Sequence, residues 1–216
     1  ISPDFHSAHL NLGRAFQTRG QFDQAIQHFE WVTQSSRGQV KALIGLAGVS
    51  HSQGKVTEAI AYLHQALEID PRIADVHVTL GNLLRQEGNP DEAAKHYDLA
   101  LQIEPDNRHA LNNLVLLLQS QNRLEDAIEK YYHALSHMPE VCDIHNDLAI
   151  VLAKLGRLDD AIKHFREALR INPDLAVTRQ NLERALKARA WRVKQGSAAT
   201  AEIRGTVSGD RQSPEK

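Results

Sequence analysis

Cysteine, methionine and aromatic residues are scarce in this 216-residue chain: there is one Cys, one Met, and 5% Phe, Trp and Tyr together. Cys142 alone excludes an internal disulfide and a cysteine-rich metal site. No run approaches the roughly 18 to 20 apolar residues of a membrane span, so none is expected in this segment. The opening "ISPDFHSAHL" has neither a charged-then-apolar leader pattern nor an initiator Met, and the chain reads as an excised or processed piece of something longer. Its compartment is undetermined, with the cytoplasm as the default. A net charge of -2 and a pI near 6.7 leave no excess of cations to neutralise phosphates, which argues against nucleic acid as the partner. The motifs G-x-x-x-x-G-K-[ST], G-x-G-x-x-G and G-x-S-x-G are missing as well, so neither an enzymatic activity nor a cofactor has a visible carrier.

What the chain does have is a period. "GNPDEAAKHYDLALQIEPD" (88–106) returns as "GRLDDAIKHFREALRINPD" (156–174), two steps of 34 residues later. Ala25, Ala59, Ala93, Ala127 and Ala161 mark five copies. Four residues after each comes Phe29, Leu63, Tyr97, Tyr131 or Phe165, and three further on Val32, Ala66, Ala100, Ala134 or Ala168. Spacings of three and four place these on one helical face. Pro71, Pro105, Pro139 and Pro173 then stop the second helix of the later copies, while the first copy has Arg37 within "SSRGQ" instead.

The first helix of each copy carries its own apolar stripe, as in His9, Leu12, Gly13 and Phe16, or His145, Leu148, Ala149 and Leu152. Small residues on that stripe let helices approach closely, and packing accounts for every stripe position. Turns fall at Gly20, Gly54, Gly88, Asn122 and Gly156, residues that tolerate positive φ just past a helix end. In "GNPDEA", Asn89 reads as the N-cap and Pro90 as the first helical residue. Gly45 and Gly48 in one helix should cost about 1 kcal/mol each relative to Ala, which implies either close backbone approach or drift in a weak copy.

This pattern resembles the tetratricopeptide repeat, with its 34-residue helix–turn–helix period and its W-x₂-L-G-x₂-Y…A-x₃-F…P signature. The resemblance covers residues 6 to about 175 and departs at the first aromatic position and at Val115, which replaces the small residue. It implies an all-α fold, a right-handed superhelical solenoid of antiparallel helix pairs. The expected repeats are 6–39, 40–73, 74–107, 108–141 and 142–175. A capping helix over 176–194 follows, with Leu182 and Leu186 inward and its Lys and Arg residues in solvent. The polar remainder, 195–216, is expected to be a disordered tail or linker.

Other groups that suggest chemistry have plainer readings. His133/His137 and His6/His9 have spacings that could share a metal, but most histidines recur with the packing period, as in His9, His77 and His145, or His28, His96 and His164. No metal site is expected. Cys142 and His145 lack a third orienting group. Paired acids such as Asp91/Glu92 and Asp159/Asp160 sit where they complement helix dipoles.

What remains is a surface. The resemblance implies a concave groove lined by positions two, five, six, nine and twelve of each first helix, holding an extended peptide or a partner helix. Leu10, Ile44 and Val78 would offer apolar contact, joined on that face by Asn11. Asn112, Asn113, Asn146 and Asn181 would pair with ligand backbone, because a carboxamide both donates and accepts, Arg85 and Arg184 would meet acidic side chains, and Asn82 lines the same face. All are expected to be exposed. Such a row of asparagines resembles the arm of O-GlcNAc transferase. A carboxylate clamp for chaperone tails would need Lys or Arg at positions five or six, and none occurs there. The leading reading is a non-catalytic protein-interaction scaffold. The alternatives are the substrate-recruiting arm of a larger enzyme such as an O-GlcNAc-transferase-like glycosyltransferase, and a soluble domain of a membrane-anchored assembly factor or self-associating scaffold, since edge repeats can stack into homo-oligomers.

Overall fold

Each apolar stripe with its breaker becomes one helix. A computed structural model of the protein describes residues 3–209, with side-chain surroundings for 5–195, and among these residues there are eleven helices and no strand. The chain divides into two compact units, Ile1–Gln121 and Asn122–Lys216. The division falls inside the repeat expected at 108–141, the one in which Val115 takes the small position.

The first unit holds α1 (Pro3–Thr18), α2 (Phe22–Thr33), α3 (Gln39–Ser52), α4 (Val56–Ile69), α5 (Ala74–Gln86), α6 (Pro90–Ile103) and α7 (Arg108–Ser120). Successive helices pack as antiparallel pairs: α1 on α2, α3 on α4, α5 on α6. Ala25, Ala59 and Ala93 and the bulky Phe29, Leu63 and Tyr97 are all buried. Burying a side chain of that size stabilises by roughly 1.5–3 kcal/mol, so these positions dominate the core.

Glycine answers those rings. A Cβ at Gly81 would lie 2.6 Å from Tyr97 Cε1, and one at Gly13 or Gly45 would lie 2.7 or 2.5 Å from Phe29 Cε1. Gly45 is therefore explained by the Phe29 ring, while Gly48 meets only the mobile end of Gln17. The turns close as expected: Gly54 has φ 77°, Asn122 φ 59°, and the Lys55 N–H donates to the Ser50 carbonyl at 2.9 Å, taking up a carbonyl the helix end leaves open. Pro90 opens α6 after Asn89, but the Asn89 side chain makes no capping bond; Asn107 caps α7 instead, its Oδ1 accepting from the Ala110 N–H at 3.0 Å.

The second unit holds α8 (Leu124–His137), α9 (Cys142–Lys154), α10 (Leu158–Ile171) and α11 (Ala176–Gly209). Phe165 and Tyr131 fill its core. Helix α11 packs on α10 and α9, burying Thr178 and Ala185, while Leu182 and Leu186 are half-buried. Arg189 pairs with Asp159 at 3.3 Å, and the Arg192 guanidinium donates to the Gly156 carbonyl at 2.7 Å.

Two expectations need correcting. Leu12 is 45% exposed, whereas its counterparts Leu46, Leu80, Leu114 and Leu148 are buried, because no helix pair precedes α1 among the described residues to cover it. The capping helix does not stop at 194: α11 runs on to Gly209, since no proline interrupts the chain before Pro214 and alanines follow Gly196. Of the expected disordered tail, 195–209 is thus helical, and 210–216 lie outside the described residues.

Candidate functional site: the face of the first helices

In the first unit, the expected lining residues stand on α1, α3, α5 and α7. Asn11, Arg85 and Asn112 are exposed, and Ile44, Asn82 and Asn113 are half-buried. Leu10 and Val78, expected to be exposed, are 8% and 9% exposed. Leu10 belongs to the core cluster around Phe29 and Leu43, and its Cδ1 would come 3.5 Å from a Cβ placed at Gly38. Leu10 is thus covered from the side by the chain entering the next repeat. What Leu10 keeps open is an edge on a cavity of about 570 Å³, which Ile44, Arg37, Lys41 and Asp70 also line.

The asparagines are not idle. Asn82 Oδ1 accepts from the Tyr97 hydroxyl at 2.7 Å and from Asn113 Nδ2 at 2.9 Å, which ties α5, α6 and α7 together. Tyr97 is fully buried, so Asn82 supplies the hydrogen bond its hydroxyl needs. Burial raises the Tyr97 pKa, and Arg85 nearby works against that rise.

In the second unit, Asn146 on α9 and Asn181 and Arg184 on α11 are the expected residues. Asn146 donates to Asp147 Oδ1 at 3.0 Å and accepts from the Thr178 hydroxyl at 2.9 Å, fastening α9 to α11. Burial, with the Asp147 carboxylate adding to it, pushes the Tyr131 phenol well above its ordinary range and keeps it neutral. Asn181 and Arg184 line a cavity of about 360 Å³ whose walls include Ile150, Leu158, Phe165 and Ala185. Lys154 and Arg184 line it too, with no carboxylate among the lining residues.

Sequence reasoning thus places these residues on the first helices and α11 but does not foresee the hydrogen bonds some of them make to other helices. Asn82, Asn113 and Asn146 serve as links between helices, while Asn11, Asn112, Arg85 and Arg184 are exposed and Asn181 is half-buried. Lys41 and Ile150 occupy positions two and nine of their repeats, so the positional rule already covers them, although a search for asparagines and arginines passes them by. His133 and His137 neighbour each other on α8 with ring centroids 5.0 Å apart, and both are exposed.

Antiparallel helix pairs repeated at 34 residues, with small residues facing buried rings, define a helical repeat array. Models of the tetratricopeptide repeat match residues 10–72, 50–118, 84–129 and 142–175, and the chain belongs to that family. Among solved structures it is similar to a crystal structure of MamA protein, with 22% identity and a TM-score of 0.63 over 81% of this chain and 96% of that one. A second MamA crystal structure gives 24% identity and a TM-score of 0.61 over 76% and 96%. YrrB, described as a TPR protein with an unusual peptide-binding site, gives 16% and 0.59 over 81% and 90%. At these identities the likeness carries the fold. No curated protein matches the chain significantly.

Proposed function

We propose that the chain is a non-catalytic protein-interaction scaffold whose first-helix face binds an extended peptide segment. One observation carries the reading: two cavities are bordered by residues expected to line that face, the first by Leu10 and Ile44, the second by Asn181 and Arg184. Membership of a repeat family whose arrays present extended binding surfaces supports it. So does the YrrB likeness, since that protein is described as having a peptide-binding site.

The lining also gives the ligand a chemistry. Apolar walls beneath Arg184 suit an apolar side chain next to a carboxylate. In the first unit, Ile44 beside Arg37 and Lys41 suits a similar pair, with Asp70 disfavouring dense negative charge. Asn112 and Asn181, in this reading, pair with ligand backbone.

Selection from a phage-displayed random peptide library tests this. Enriched peptides should combine apolar residues with Asp or Glu; those held by the first unit should lose most of their affinity to the Ile44→Glu protein, and those held by the second to the Arg184→Glu protein. A Leu99→Ser change on the outward side of α6, where Leu99 is 38% exposed, should leave binding intact. Binding that survives both groove changes and is lost with Leu99→Ser would reverse the assignment.

A further inference from the structure

Histidines recur in the first, third and fifth repeats at two positions, one on each helix of the pair, and the fold brings each couple together. His9 Nδ1 lies 2.9 Å from His28 Nδ1, His77 Nδ1 lies 2.9 Å from His96 Nδ1, and His145 Nδ1 lies 3.0 Å from His164 Nδ1. Two ring nitrogens this close share one hydrogen, one donating and the other accepting on its lone pair.

In two of the three couples the roles are assigned by a third group. His77 Nε2 donates to the Pro71 carbonyl at 3.1 Å, and His145 Nε2 donates to the Pro139 carbonyl at 3.0 Å. A neutral imidazole with its hydrogen on Nε2 has its lone pair on Nδ1. His77 and His145 therefore accept, and His96 and His164 donate. A first added proton can go to the outer Nε2 of His96 or His164 without disturbing this bond. A second would have to enter between the rings, where an N–H already points.

We propose that these three couples are acid-opened latches: each holds its two helices together near neutral pH, carries at most one positive charge while closed, and parts when a second proton arrives. The even repeats have no such couple, with Leu43 and Tyr62, and Leu111 and Lys130, at the same positions. Leu10, Val78 and Asn146 directly follow the first-helix histidines, so parting a couple moves the face assigned above to ligand. Opening itself is a property of the fold, with or without a ligand.

The surroundings set when each latch responds. His96 faces His77 on α5 and His64 on α4, with Glu92 and Lys95 on its own helix. Burial first, then His77, brings its pKa down to about 4, against an ordinary 6.5. His164 faces His145 on α9 and Tyr132 on α8, with Asp160, Lys163 and Glu167 on its own helix. Burial and His145 lower it, and the two carboxylates oppose that fall. His28 faces His9 and stacks on Phe16, while Trp31 stacks on His9; burial and His9 lower it. A base whose pKa is depressed by folding contributes stability that is complete above the unfolded value, near pH 6.5, and is lost as pH falls through the folded value. Acid therefore loosens the array from about pH 6.5 downward.

The test compares the full chain with the His28→Asn, His96→Asn, His164→Asn protein in urea unfolding at pH 7.5 and pH 5. Asparagine can donate to the partner Nδ1, can turn its carbonyl toward a protonated one, and does not titrate. The drop in unfolding midpoint between the two pH values should be at least about twofold larger in the unaltered protein. Equal drops would overturn the proposal. Imidazole ¹⁵N spectra of the unaltered protein give an answer even if the variant does not fold. In the folded protein His77 and His145 should carry hydrogen on Nε2 and accept on Nδ1, with His96 and His164 donating from Nδ1. Two charged rings in any one couple of the folded protein would refute it.

Discussion

Replacing Asn82 by Ala should cost far more than its half-buried position suggests. The change removes an acceptor used twice, by Tyr97 Oη at 2.7 Å and by Asn113 Nδ2 at 2.9 Å. Asn113 is half-buried and can turn to water, so that loss is worth about 1 kcal/mol. The Tyr97 hydroxyl belongs to a fully buried side chain and is left without a partner, which adds about 1–3 kcal/mol. Asn82→Ala should therefore destabilise the first unit by about 2–4 kcal/mol. Tyr97→Phe removes the hydroxyl but leaves Asn82 bonded to Asn113, and should cost about 1 kcal/mol. In the Tyr97→Phe background there is no hydroxyl to strand, so the two changes together should cost about 1–3 kcal/mol less than their sum. Guanidinium unfolding followed by helical circular dichroism gives the totals. Native-state hydrogen exchange of the α5 and α6 amides shows whether the loss is local, which matters because repeat arrays depart from two-state unfolding. Additivity within about 0.5 kcal/mol would show that the Asn82–Tyr97 bond is not what holds these helices.

Two glycines should respond in opposite senses to the same change. Gly81→Ala drives a Cβ to within 2.6 Å of the rigid Tyr97 ring and should lower stability by about 1–3 kcal/mol despite better helix propensity. Gly48→Ala meets only the Gln17 amide and should raise stability by about 0.5–1 kcal/mol; thermal melts of the two variants check both signs. Ending the chain after Asp174 removes the helix that buries Thr178 and Ala185, and should lower the melting temperature by several degrees or provoke aggregation. Ending it after Gln195 should leave the melting temperature nearly unchanged, and equal effects would show that the capping contacts lie elsewhere.

The helices and their order were legible because each is specified by local signals: an apolar stripe, a small residue, a turn glycine, a proline stop. Phe29 against Gly13 and Gly45 is a contact between helices, yet its two sides are visible as a large and a small residue at fixed spacing. The roles of the asparagines were not legible. Whether Asn113 points at solvent or at Asn82 depends on the offset between successive first helices, and the period does not encode that offset. Leu10 illustrates the same limit, since the chain leading into α3 decides how much of it is covered. The end of α11 was misjudged because a capping role limits how far a helix must run, not how far its sequence allows. The histidine couples lay in plain view as a recurrence, but only folding shows ring nitrogens of both members pointing at one another.

The central claim, that ligand lies along the first helices, is tested most directly by backbone amide spectra recorded while a library-selected peptide is titrated into the labelled full chain. Signals of Asn11, Ile44 and Asn112 in the first unit, or of Ile150, Asn181 and Arg184 in the second, should shift, those within one unit with one affinity, while those of the outward residues Leu99 and Tyr132 stay in place. Shifts confined to the second helices α2, α4, α6, α8 and α10, with the first-helix signals unmoved, would contradict it.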